Sequence, residues 1–143
     1  MGRPFHLTRP IPPEDDLHLA VAQALDVLLM PPAVWTTFPA GHVPLPPAFA
    51  AKLVRLGLKP NWPDILVLHR NLYGVELKRP GEALSIARTV RTRRGGLRHV
   101  DGQRETFPRL EAAGMTIVTC KSVVAVLDAL AAWGVPLRGR IAA

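Results

Sequence analysis

The chain has 143 residues, 48% of them hydrophobic and 20% charged, which suits one globular domain and excludes wholesale disorder, collagen-like repeats and two full domains. Its single cysteine, Cys120, excludes an intramolecular disulfide scaffold, and the absence of a signal-like N-terminus or a run of about 18 apolar residues leads us to expect a cytoplasmic protein with no membrane span. Eighteen Lys and Arg against 11 Asp and Glu give a net charge of +7, a balance that favours polyanionic partners.

Residues 1–13, with four prolines and no apolar period, read as an extended N-terminal arm. A helix follows from Glu14, where Leu17, Val21, Leu25 and Leu28 recur at helical spacing until Pro31 and Pro32 end it. Ala33 to Phe38 is rich in β-formers and predicts a first strand before a Pro39-Ala40-Gly41-His42 loop. A second helix fits Pro46 to Leu56, with proline in its first turn and Gly57 just past its end. Two apolar runs, Ile65 to Leu68 and Leu72 to Leu77, flank His69-Arg70-Asn71 and predict a hairpin of buried strands.

Beyond the hairpin the charge concentrates. Between Arg79 and Arg109 lie eight arginines and only three acids, so most of the net charge belongs to this one segment. With Gly95-Gly96 in its middle, its Arg-rich part reads as a mobile loop. A third helix fits Gly102 to Ala113, a strand fits Met115 to Cys120, and Ser122 is a natural N-cap for a last helix stopped by Gly134 and Pro136. The order predicts an α/β domain with a central mixed sheet flanked by helices, whose third helix crosses over between parallel strands.

Polar residues at three positions of the hairpin do not suit its apolar surroundings. Asp64 opens the first strand, and Glu76 and Lys78 share one face of the second because alternate residues point the same way. Two carboxylates and an ammonium meeting at an apolar sheet cost several kcal/mol of desolvation unless a metal or another charge compensates. Carboxylate oxygens suit Mg²⁺ or Mn²⁺, and such an ion can activate water against a phosphodiester, with Lys78 adding a point charge for the attacking water or the phosphate. The bland alternative is a buried salt bridge, which leaves the second acid unexplained. No Cys/His zinc spacing, phosphate-binding glycine loop or nucleophile elbow is present.

These residues resemble the PD-(D/E)XK nuclease superfamily, and within it the VRR-NUC type found as small single-domain phage or prophage proteins. The matching words are Glu14-x-x-Leu17-His18, Leu53-x-x-Leu56-Gly57, Pro63-Asp64-Ile65-Leu66, Val75-Glu76-Leu77-Lys78, Gln103 with Leu110 and Gly114, and Trp133-Gly134-Val135-Pro136-Leu137-Arg138. The resemblance spans residues 14–138, leaving 139–143 as a tail, and implies a restriction-endonuclease-like core of order αβββαβ with one helix inserted before the hairpin. It implies a metal held by Asp64, Glu76, the Leu77 carbonyl and Glu14, with Asp64, Glu76, Lys78 and Gln103 as the catalytic set.

Glu14 has a second reading, because acids in a helix first turn offset the macrodipole. Gln103 has one too, as an exposed polar residue early in a helix. Relatives usually carry a serine three residues before that glutamine. Here Val100 stands there, and an Arg-rich insertion at about residues 83–99 intervenes.

Arg79, Arg88, Arg91, Arg93, Arg94 and Arg98 are candidates for phosphate contacts, in a loop that could order only when DNA is present; the bland alternative is a solvated loop with no such role. The expected activity is Mg²⁺- or Mn²⁺-dependent endonucleolytic hydrolysis of DNA. The alternatives are a junction-resolving nuclease, which would act as a homodimer, and a catalytically silent DNA-binding module.

Overall fold

The computed structural model describes residues 13–38 and 45–139, with side chains from Asp16 onward. Residues 1–12 of the proposed N-terminal arm, the loop around His42, the Glu14 side chain and nearly all of the tail lie outside the described residues, while Pro13, the arm's last residue, opens a helix. In chain order the elements are α1 (Pro13–Leu28), β1 (Val34–Thr37), α2 (Pro47–Arg55), β2 (Ile65–His69), β3 (Asn71–Leu77), β4 (Arg88–Arg91), β5 (Leu97–Val100), α3 (Gln103–Ala112), β6 (Thr116–Cys120) and α4 (Val123–Ala132). The fold is mixed α/β, with four helices and a central four-stranded mixed sheet ordered β1-β2-β3-β6. Neighbours β1, β2 and β3 run antiparallel, and β6 pairs parallel to β3. No helix among the described residues is long and apolar enough to cross a membrane.

The register divides the sheet into two unlike faces. Ile65 and Val67 of β2, Tyr73 and Val75 of β3 and Cys120 of β6 share one face, which packs on Val21 and Leu25 of α1 and on Val126, Leu127 and Leu130 of α4. Burying side chains of this size contributes roughly 1.5 to 3 kcal/mol each, so this layer holds the domain together. Ser122 caps α4 by accepting the Ala125 N–H at 3.1 Å, and Trp133 stacks on Tyr73 at 4.6 Å between ring centroids.

The second face carries Leu66 on β2, Gly74 and Glu76 on β3, and Ile117 and Thr119 on β6. A Cβ on Gly74 would lie 2.6 Å from Pro63 Cγ and 2.9 Å from Met115 Sδ. The missing side chain therefore lets the Pro63 ring lie flat on β3, and that ring immediately precedes Asp64.

One segment departs from the sequence expectation. The Arg-rich stretch is not a mobile loop: Arg88 to Arg91 and Leu97 to Val100 pair as an antiparallel ribbon, separate from the central sheet. Its turn is closed locally. The Thr92 N–H donates to the Gly96 carbonyl at 2.8 Å and the Gly95 N–H to the Thr92 carbonyl at 3.0 Å, while the Gly96 N–H reaches Thr92 Oγ1 at 3.1 Å. Gly95 has φ +81°, a conformation open to glycine and costly for most other residues. The dense positive charge hid a turn and two short strands with β-branched Thr89, Val90 and Val100.

Candidate metal and phosphodiester site

Antiparallel register pairs Ile65 with Val75, and one step outward places Asp64 beside Glu76 on the second face. The two carboxylates are 6% and 2% exposed, which is rare for acids without a compensating partner. Asp64 is fixed from both its ends. Its Oδ2 accepts the Leu77 N–H at 2.8 Å, while its carbonyl accepts the Phe38 N–H at 2.8 Å and the Thr37 hydroxyl at 3.2 Å. His18 of α1 joins this cluster, with Nε2 2.5 Å from Thr37 Oγ1.

Glu76 is held asymmetrically. Its Oε1 accepts Lys78 Nζ at 2.9 Å and Gln103 Nε2 at 2.6 Å, but Oε2 is buried and has no partner. Burial, then the negative charge of Asp64, pushes the Glu76 carboxyl above its ordinary pKa, with the Lys78 and Gln103 contacts pulling partly back. A buried carboxylate oxygen left without a donor costs about 1 to 3 kcal/mol or more. Lys78 is itself only 13% exposed at its side chain, and its backbone N–H donates to the Cys120 carbonyl at 3.0 Å, so β6 anchors the chain at the Glu76-Leu77-Lys78 triplet.

The structure thus brings Asp64, Glu76, Lys78 and Gln103 together on one face. Glu14 lies in the first turn of α1, with its side chain outside the described ones. Of the six arginines proposed for nucleic acid, Arg79 stands apart, with its Nε 3.3 Å from the Glu82 carboxylate. The other five lie on the ribbon and its turn.

The sequence did not reveal Ser85. Its Oγ accepts the Gln103 N–H at 3.0 Å, its own N–H donates to Gln103 Oε1 at 3.2 Å, and its carbonyl accepts the Arg104 N–H at 3.0 Å. Gln103 is therefore clamped at both ends of its amide, between Ser85 and Glu76. Ser85 lies on the other side of the ribbon from Gln103, and Gly102 allows the close approach: a Cβ there would meet the Ser85 carbonyl oxygen at 2.4 Å.

Two further residues, Trp62 and Cys120, are held by packing. Trp62 stacks on Phe38 at 5.5 Å. Cys120 packs in the core, where burial raises its thiol pKa.

The donor set fits a hard divalent cation. Asp64 and Glu76 supply oxygen, and the unpartnered Glu76 Oε2 is a buried carboxyl oxygen with unused acceptor capacity. Among the described residues no group of three or more His, Cys, Asp or Glu side chains converges. Comparison with protein-family models, with curated proteins and with solved structures gave no match.

Proposed function

We propose that this protein is a nuclease that hydrolyses phosphodiester bonds of DNA with the help of Mg²⁺ or Mn²⁺, on a restriction-endonuclease-like core of the VRR-NUC type. The observation that carries the reading is the unpartnered Oε2 of Glu76, 2% exposed beside Asp64 and Lys78. A salt bridge alone accounts for Oε1 and leaves Oε2 buried at a cost. The element order supports the core assignment, since helix, three antiparallel strands, helix and parallel strand occur in sequence around the inserted α2 and ribbon.

Asp64 and Glu76 would hold the ion, with the Leu77 carbonyl and Glu14 as further ligands implied by the resemblance. When bound, such an ion lowers the pKa of a coordinated water and offsets charge on the phosphate oxygens. Lys78 holds a compact positive charge against Glu76 Oε1, suited to an anionic phosphate or to orienting the attacking water. Gln103 fixes the Glu76 carboxylate and keeps its second oxygen turned away from the Gln103 and Lys78 donors.

The test is cleavage of supercoiled, linear, single-stranded and four-way-junction DNA with Mg²⁺, Mn²⁺ or EDTA, by the wild type, Glu76→Ala and Lys78→Ala. Metal-dependent cleavage lost in Glu76→Ala supports the reading, and junction preference would narrow it to resolution. Salt-sensitive DNA binding without cleavage under any metal overturns it in favour of a silent binding module.

A further inference from the structure

The β4–β5 ribbon presents five arginines, at positions 88, 91, 93, 94 and 98, all exposed. None of the five has an acidic partner among the described residues, in contrast to Arg79 with Glu82 and Arg109 with Asp101. The segment from Ala83 to Val100 contains no Asp or Glu. A concentration of uncompensated guanidinium groups on regular structure repels itself, and a polyanion removes that repulsion.

The register sets where these charges stand. Arg88 pairs with Val100 and Val90 with Arg98, so Arg88 and Arg98 share one face; Arg91, opposite Leu97, is on the other, with Thr89 and His99. Arg93 and Arg94 lie in the turn at the tip, next to Gly95. A ribbon whose purpose was to lie on a flat surface would concentrate its charge on one face. This one carries it on both faces and at the tip.

We propose that the ribbon enters the major groove of double-helical DNA tip-first, with Arg88 and Arg98 facing one phosphate backbone, Arg91 the other, and Arg93 and Arg94 over the base edges on the groove floor. The proposal takes the DNA substrate of the preceding reading as given and adds its form and the way it is gripped. Dimensions agree. A sheet with side chains on both faces is about 10 Å thick, against a major groove about 12 Å wide and 8.5 Å deep. Strands of four residues reach roughly 13 Å at ~3.3 Å per residue. The minor groove, about 6 Å wide, is too narrow, and the major groove of A-form RNA is too deep and tight for entry.

The base of the ribbon is secured beside the candidate site. The Ala87 N–H donates to Glu105 Oε1 at 3.1 Å, the Gly102 N–H donates to Glu105 Oε2 at 2.8 Å, and Ser85 grips Gln103, whose amide reaches Glu76. A duplex gripped by the ribbon is thus tethered two hydrogen bonds from the buried carboxylate.

The experiment is equilibrium binding by fluorescence anisotropy in EDTA, where no metal-dependent cleavage proceeds. The probes are a B-form DNA duplex, the same duplex with glucosylated 5-hydroxymethylcytosine filling its major groove, the duplex saturated with distamycin in its minor groove, and double-stranded RNA of the same sequence. The wild type is expected to bind the plain and distamycin-loaded duplexes alike, and the glucosylated duplex and the RNA at least about tenfold more weakly. Arg88→Ala/Arg98→Ala should lower the slope of log affinity against log salt by about 2, near 0.9 per phosphate contact. Arg93→Ala/Arg94→Ala should weaken plain-duplex binding about tenfold or more and lose the discrimination against glucosylated DNA.

All five positions are exposed, so unchanged circular dichroism and melting of these variants separate lost contacts from lost fold. Indifference of the wild type to glucosylation, competition by distamycin, equal affinity for RNA, or variants that bind as the wild type does would each overturn the proposal. Cleavage is scored separately: groove-dependent binding without cleavage sinks the nuclease reading and leaves the ribbon, whereas cleavage with ribbon-independent binding does the reverse.

Discussion

At the scale of single residues, the proposed metal site turns on the two oxygens of one carboxylate. Oε1 of Glu76 has two donors and Oε2 has none, and burial with the adjacent Asp64 charge raises the pKa of the carboxyl above its ordinary value. A raised folded-state pKa means that ionising Glu76 works against folding. Its cost is absent below the unfolded carboxylate range and grows as pH rises through the folded pKa. The metal-free wild type should therefore lose melting temperature relative to Glu76→Gln as pH climbs through that window. Melts of both proteins in EDTA at a series of pH values check this, and parallel curves would contradict it. At neutral pH, Mn²⁺ or Mg²⁺ should raise the melting temperature of the wild type and leave Glu76→Gln nearly unmoved, because a ligand that binds only the native state stabilises it by mass action. Gln103 is the positioning residue for this carboxylate. Gln103→Ala removes a hydrogen bond to a charged acceptor and should cost about 1.5 to 3 kcal/mol in urea unfolding, and it should raise the Glu76 pKa further, since the Gln103 contact now lowers it.

At the scale of elements, the site depends on how closely β3 lets its neighbours approach. Gly74 lies two positions before Glu76 on the same face, and the Pro63 ring occupies the space its side chain would fill. Gly74→Ala should push Pro63 and Met115 outward and cost about 1 to 3 kcal/mol, as overpacking does, with Asp64 carried away from Glu76. Urea unfolding measures the first effect, and weakened Mn²⁺ stabilisation reports the second. The elements that hold the site were legible in sequence because their apolar patterns are clear: Ile65 to Leu68 and Leu72 to Val75 are unbroken non-polar runs of strand length, and Leu17, Val21, Leu25 and Leu28 recur at helical spacing. Asp64, Glu76 and Lys78 were legible for the opposite reason, as polar residues that interrupt those runs at one end of the hairpin. What the sequence hid was non-local. Ser85 and Gln103 meet across the ribbon that separates them, and no spacing rule encodes a contact of that range. The ribbon itself was hidden by its charge, because five arginines and a Gly-Gly pair mimic the composition of a solvated loop while Thr92 closes a regular turn through Oγ1.

At the scale of the whole molecule, the chain divides its labour between a layer that supplies stability and an appendage that does not. The core of α1, α4 and the inner face of the sheet contains no residue of β4 or β5. The ribbon strands pair only with each other, and their arginines face solvent. Stability and charge are thus segregated, so the self-repulsion of the arginines is kept away from the packed layer. The ribbon also begins and ends at one place, because Arg88 and Val100 are direct cross-strand partners and such partners lie about 4.5 to 5.5 Å apart. A chain cut there can be rejoined by a very short linker without moving Ser85 or Gln103. Replacing Thr89 to His99 by Gly-Gly should therefore leave a cooperatively folding protein. The expected change in unfolding free energy is within about 2 kcal/mol, the worth of partial apolar burial at Val90 and the contacts around Val100. Metal-induced stabilisation through Asp64 and Glu76 should survive in this variant while its net charge falls and its affinity for duplex DNA drops. Urea unfolding with and without Mn²⁺ decides the matter. Loss of cooperative folding would mean that the ribbon is part of the structural core, and loss of the Mn²⁺ effect alone would mean that it shapes the carboxylate pair directly.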